Sequence, residues 1–269
     1  MTGEWTAAWS HVPSLPFVGT VLTLPGAVAA ELLSEPWDVV WIDLEHGALD
    51  RAQAQELILG AQATHTLALA RVAVSNAEGL VGPMLDAGAD GIVAADLRAG
   101  AQAEWLVSLM RYPPSGRRGY GPRRSTLRGR GRCQEPDTPR LWVQIETQEG
   151  VAAADEIARI HGVDALVVGI ADLCTDLGIP IGLSDPRLHD ALRAISAAAA
   201  QARLHFGVAG PLRAPEQLGD LLDGATVLIH STDARLCAAA VDGAAQTLRR
   251  HANRAVLSAT GPKGVSAGG

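Results

Sequence analysis

A single (β/α)8 barrel, α/β in class, is the fold this sequence predicts, and three observations predict it. Eight apolar runs of strand length recur along the chain, and segments with helical spacing lie between them. The runs are near-continuous in Val, Ile, Leu and Ala, the pattern of parallel strands buried on both faces. A length of 269 residues suits one such barrel. An open doubly wound sheet is the alternative, but no GxGxxG follows the first run.

In chain order the expected strands are "FVGTVLTL" (17–24), "VVWIDLEH" (39–46), "LALARV" (67–72) and "GIVAADL" (91–97). They continue with "LWVQIET" (141–147), "ALVVGIADL" (165–173), "HFGVAG" (205–210) and "ATVLIHST" (225–232). Between them "DRAQAQELILGAQATH", "NAEGLVGPMLDAGA" and "GVAAADEIARIHG" have helical spacing, with Asp50 and Asn76 as caps for the first two. Residues 112–140 form an arginine-rich stretch too long for a routine connection and read as a functional loop or a partly mobile segment. The Ala-rich segment 233–250 predicts a final helix whose small-residue surface suits packing on a neighbouring subunit. The barrel domain is expected over 1–255, with 256–269, rich in Gly and Ser, as a disordered tail.

Composition narrows the function classes. A net charge of −7 argues against nucleic acid or an anionic membrane as partner. No apolar run approaches the roughly 20 residues of a membrane span, and the amino-terminal stretch lacks the pattern of a secretory signal. Cys133, Cys174 and Cys237 are odd in number and widely spaced, which reads as free thiols in a cytoplasmic protein. Of 22 basic residues only Lys263 is a lysine, and it lies in the Gly/Ser-rich end. Schiff-base chemistry on a buried lysine is thereby nearly excluded.

In a barrel of this kind, chemistry gathers where the strands end. Asp43, Glu45 and His46 end the second strand, Arg71 the third, Gln144 and Glu146 the fifth, and Asp172 follows the sixth. Glu146 and Asp172 suit a hard divalent cation, which two carboxylates, waters and substrate oxygens commonly hold. Capping of the following helices is their other reading. His46, beside two acids, suits proton transfer. Arg71 suits an anionic substrate, and Asp43 and Glu45 suit orientation or the water shell of the metal. The arginines between 111 and 132 suit a dicarboxylate substrate or a neighbouring subunit, with a solvated face for half or more of them.

Taken together, "WIDLEHG", "ARV", "RYPPSGRRG", "QIET" and "VDALVVGIADLCTDLG", in this order and spacing, resemble the metal-dependent class II pyruvate aldolases. These are the 4-hydroxy-2-oxoheptanedioate and 2-keto-3-deoxy-sugar-acid aldolases of the phosphoenolpyruvate/pyruvate barrel superfamily. The resemblance covers roughly residues 15–250 and implies a hexamer of barrels. It implies Mg²⁺, Mn²⁺ or Co²⁺ on Glu146 and Asp172, with pyruvate, or another 2-oxo acid, chelating that ion beside an aldehyde. It also implies Arg71 at the keto oxygen, His46 as acid/base and Asp86 supporting that histidine across a subunit contact. Backbone amides near Gly169 and Ala171 would hold the pyruvate carboxylate. Two segments depart from the family pattern: "GIADL", with Ile170 where the family commonly has Gly-Pro before Ala/Ser-Asp-Leu, and "IVAADL" after the fourth strand, where Val-Pro-Met is common. Both line the expected mouth and bear on the acceptor. A related condensing enzyme, citrate-synthase-like or of specialised metabolism, is the alternative reading, and a non-catalytic binding barrel the second.

Overall fold

Eight parallel strands close on themselves in chain order, β1 through β8, in a computed structural model that describes residues 16–121, 124, 139–210, 212 and 224–260. The strands are β1 (Phe17–Leu22), β2 (Val39–Asp43), β3 (Leu67–Ala73), β4 (Gly91–Ala95), β5 (Arg140–Ile145), β6 (Ala165–Gly169), β7 (His205–Gly210) and β8 (Val227–Thr232). The helices are α1 (Ala27–Ser34), α2 (Arg51–Ala63), α3 (Ala77–Asp86), α4 (Gly100–Met110), α5 (Gln148–Ala152), α6 (Ala154–Ala158), α7 (Ile170–Asp176), α8 (Pro186–Ala202) and α9 (Asp233–Thr260). All eight expected strands form, and the barrel is confirmed. The chain divides after Asp233 into the barrel and a second unit that holds the rest of α9. Val241 and Leu248 on that helix are exposed. Residues 261–269, most of the segment read as a disordered tail, lie outside the described residues.

Strand ends at the mouth come earlier than the apolar runs suggest. β2 stops at Asp43, three residues short of the expected His46, because the Asp43 carboxylate accepts the N–H groups of Glu45 (3.1 Å) and His46 (3.2 Å) and turns the chain. β6 stops at Gly169, and Ile170 to Asp176 is helix rather than strand. α2 begins as expected: Asp50 and Gln53 satisfy each other's backbone N–H at 2.8 and 2.9 Å. Asn76 precedes α3, but its side chain makes no capping bond; a 3-10 turn over Val74–Asn76 leads into the helix instead. The third helical segment breaks at Ala153 into α5 and α6.

The barrel interior is filled, not hollow. Phe17, Trp41 and Trp142 pack there with Val39, Leu69, Val93 and Val167, the Trp41 and Trp142 rings meeting edge to face at 6.4 Å. A chain with two Phe and two Tyr thus spends two tryptophans on the most enclosed layer. A larger apolar layer between strands and helices includes Ile42, Leu57, Ile58, Val72, Leu106 and Ile195.

At the opposite end from the mouth, three aspartates each precede an even-numbered strand. Asp38, Asp90 and Asp164 receive the N–H of Val18 (2.9 Å), Ala68 (3.0 Å) and Leu141 (2.9 Å) on their carboxylates. Each aspartate returns its own N–H to the carbonyl of the same residue, at 2.9, 2.8 and 2.8 Å. β1, β3 and β5 are therefore each clasped at the start to the even strand that follows.

Barrel closure rests on β1 and β8. The Thr20 hydroxyl donates to the His230 carbonyl at 2.9 Å. Buried Asp233 accepts from the Thr23 N–H (2.9 Å), the Thr23 hydroxyl (2.6 Å) and the Leu24 N–H (3.0 Å).

Candidate active site

Parallel register sets Asp43 of β2 level with Arg71 of β3, and the two side chains meet in a forked ion pair. Arg71 Nε and Nη2 donate to the two Asp43 carboxylate oxygens at 3.1 and 2.8 Å. Arg71 Nε also lies 3.4 Å from Glu45 Oε2, and Nη1 reaches the Gln144 side-chain carbonyl at 3.5 Å. Burial pushes the Asp43 carboxyl up, but Arg71 and the two turn amides outweigh it and hold it below the usual range. Gly47 is required by this turn, since a Cβ there would stand 2.2 Å from the Asp43 carbonyl oxygen.

Glu146 sits buried just beyond the end of β5. One carboxylate oxygen accepts the Asp96 N–H at 2.8 Å, and the other accepts the side-chain amide of Gln144. Gln144 therefore links Arg71 to Glu146 through both ends of its amide. Above Glu146 lies Gly169, where a Cβ would come 2.9 Å from Glu146 Oε2 and 2.8 Å from Gln144 Nε2. Only glycine leaves that face of the carboxylate open.

Electrostatics mark this as one site. Burial first, then the charges of Glu45 and Asp172, raise the Glu146 carboxyl to about 7. Glu45 is raised by its own burial, with Asp43 and Asp172 adding to it against Arg71 and His46. Asp43, Glu45 and Glu146 thus act on one guanidinium, Asp172 adds its charge to Glu45 and Glu146, and Glu45 Oε2 is buried without a hydrogen bond. Such a donor set fits a divalent cation, whose charge would offset the excess of acid. Among the described residues no group of three or more His, Cys, Asp or Glu forms a cation site, so the fit is to two carboxylates completed by water and substrate.

A pH dependence follows from Glu146. Its folded value of about 7 exceeds the ordinary 4.5, so the folded chain holds the extra proton between those values. The metal-free protein therefore loses stability as pH rises through that window, by up to about 3 kcal/mol from this group. His205, lowered mainly by burial, acts in the opposite sense below 6.5. In chelator, the melting temperature of the wild type relative to Glu146→Gln is expected to fall between pH 5 and pH 8. A difference that stays flat across that range contradicts a titrating Glu146.

The remaining expected residues are distributed unevenly. The His46 side chain is 65% exposed at the mouth, its Nε2 3.8 Å from Glu45 Oε2. Asp172 is exposed in the first turn of α7, beside Ala171. Asp86 closes α3 at the end of the barrel where β4 begins, away from His46 of the same chain, and it pairs with Arg118 at 2.6 Å. Arg118 is buried and stacks over Tyr112, with 4.8 Å from its guanidinium carbon to the ring centroid, while Arg124 donates to the Gln62 side chain at 2.5 Å. These two arginines anchor the loop to its own chain; Arg123, Arg128, Arg130 and Arg132 lie outside the described residues. Sequence reading missed Asp96, whose backbone reaches Glu146. Its position in the divergent "IVAADL" segment was the signal.

The family model described as HpcH/HpaI aldolase/citrate lyase matches residues 24–237. The chain belongs to this family. Among HpcH/HpaI relatives, a hydroxypyruvate/pyruvate aldolase from Rhizorhabdus wittichii is 36% identical over 58% of this chain and 63% of its own. The match therefore spans under two thirds of that relative's length. A 4-hydroxy-4-methyl-2-oxoglutarate aldolase, tasA, from Hapsidospora irregularis is 33% identical over 65% of this chain and 67% of its own. The crystal structure of the citrate synthase SbnG superposes with a TM-score of 0.77 and 26% identity, covering 88% of this chain and 95% of that one. The HpcH/HpaI relatives named here as aldolases are carbon–carbon lyases by name. No helix among the described residues is long and apolar enough to cross a membrane.

Proposed function

We propose that the protein is a divalent-metal-dependent aldolase that forms or cleaves 4-hydroxy-2-oxo acids through a pyruvate enolate. The observation that carries this reading is the convergence of Glu45, Glu146 and Asp172 beside the Asp43–Arg71 pair in an HpcH/HpaI barrel. Glu146 and Asp172 would hold Mg²⁺, Mn²⁺ or Co²⁺, and the ion would supply Lewis acidity at a 2-keto group and an electron sink. The lysine census agrees, because Lys263 is the only lysine available for the alternative iminium sink.

Arg71, locked by Asp43, presents its guanidinium to the keto oxygen and stabilises charge that develops there. Backbone amides near Gly169 and Ala171 receive the substrate carboxylate. His46, exposed at the mouth and close to Glu45, moves the proton of the 4-hydroxyl group, with water as relay. Asp86 of a neighbouring copy supports that histidine, which requires an assembly built through α9 and its small residues. A cytoplasmic homohexamer fits this arrangement; a monomer in light scattering at micromolar concentration excludes the Asp86 role.

The test of the reaction is proton exchange. Pyruvate in D₂O with enzyme and Mn²⁺ is expected to exchange its methyl protons, and chelator is expected to stop it. Exchange at full rate without metal sinks the reading. The SbnG likeness favours a second reading, a condensation with a different acceptor. An aldolase yields 4-hydroxy-2-oxo acid adducts from simple aldehydes such as glycolaldehyde, whereas a dedicated condensing enzyme yields none while still exchanging pyruvate protons.

A further inference from the structure

Asp96 is one of four residues other than glycine with positive φ among the described residues, at +59°. Left-handed backbone is unfavourable for residues with a Cβ, and aspartate is among the few that tolerate it. Strain of this kind persists where the surroundings enforce it. Here its product is visible: the conformation aims the Asp96 N–H at Glu146 Oε1, 2.8 Å away, in the site at the mouth.

The groups that bond to this turn are also visible. Arg98 Nε donates to Asp96 Oδ1 at 2.9 Å, and Arg98 Nη1 reaches Glu149 Oε2 at 3.1 Å. Glu149 belongs to α5, which begins two residues after Glu146. The Arg98 and Ala99 N–H groups are received by the Gln102 side chain at 2.7 and 3.1 Å, fixing the same turn from its other side. The turn after β4 is thereby tethered to the helix after β5, on either side of the Glu146 carboxylate.

We propose that Asp96 is a positioning residue for Glu146, held left-handed by the Asp96–Arg98–Glu149 tether. A carboxylate oxygen carries two lone pairs. With Asp96 on one oxygen and Gln144 on the other, the plane of the group is fixed and one lone pair on each oxygen remains for the site. This rests on the reading of Glu146 as a cation ligand, and outer partners of such ligands are worth about 10- to 100-fold in metal affinity.

The experiment is Mn²⁺ titration of the intact protein by calorimetry, without substrate. Asp96→Asn keeps both the backbone preference and an acceptor for Arg98, and should bind within about 3-fold of wild type. Asp96→Val, β-branched and without an acceptor, should bind about 10-fold or more weakly, with Asp96→Gly between them. Equal affinity for Val and wild type overturns the proposal, as does an Asn variant as weak as Val. Should Asp96→Val fail to fold, Arg98→Met tests the tether alone, with weakening expected and wild-type affinity overturning it. Equal Mn²⁺ binding by wild type and Glu146→Gln removes the ligand reading itself, a result distinct from failure of the Asp96 series.

Discussion

Glu146→Gln is expected to lose divalent-cation binding by at least about 100-fold and turnover by about 1,000-fold or more, while melting no lower than the wild type in chelator at pH 8. The first two losses follow from removing one of the two charged ligands. The third follows from the site itself, because Glu146 is a buried acid crowded by Glu45 and Asp172. Amide substitution relieves that repulsion and keeps an oxygen for the Asp96 N–H. Asp172→Asn is expected to lose binding similarly with little change in melting, since Asp172 is exposed. Metal content after dialysis and thermal melts read both. Wild-type metal content in both variants would place the cation elsewhere.

Arg71→Met is expected to abolish pyruvate exchange and cost about 3–5 kcal/mol of stability. Asp43 is buried, and without the guanidinium its carboxylate loses both forked bonds while keeping only the turn amides. Arg71→Lys separates the two effects. An ammonium restores a charge but cannot span both Asp43 oxygens and Gln144 together, so most of the stability should return while exchange stays at least about 100-fold down. Urea melts of Arg71→Met, Asp43→Asn and the double variant complete the comparison. The coupling should exceed about 1 kcal/mol, and additive losses would show that the two residues do not act as a unit.

The fold was legible because its signal is redundant. Eight apolar runs each point to a strand, and losing one or two residues at an end does not alter the count. The mouth was legible because Asp43, Arg71, Gln144 and Glu146 stand at strand ends, where the barrel puts chemistry. What escaped was carried by backbone geometry. Nothing in "IVAADL" announces that Asp96 turns left-handed, because its side chain bonds to Arg98 and through it to Glu149, more than 50 residues further on. The pairing of Asp86 with Arg118 escaped for the same reason: it joins a helix end to a loop without periodicity.

The three aspartate clasps at the closed end carry a consequence for how the barrel assembles. Each joins residues only 20, 22 or 23 positions apart, whereas the seam between β1 and β8 joins residues 210 apart. Short loops close at lower entropic cost and form sooner than long ones. The β1–β2, β3–β4 and β5–β6 units can therefore each fasten their own base while the ring is still open, and the seam, with Asp233 gripping Thr23 and Leu24, is left to form last. In pulse-labelled hydrogen exchange the amides of Val18, Ala68 and Leu141 should gain protection ahead of Thr23 and Leu24. The end of the barrel opposite the mouth would then govern the order in which the mouth is put together.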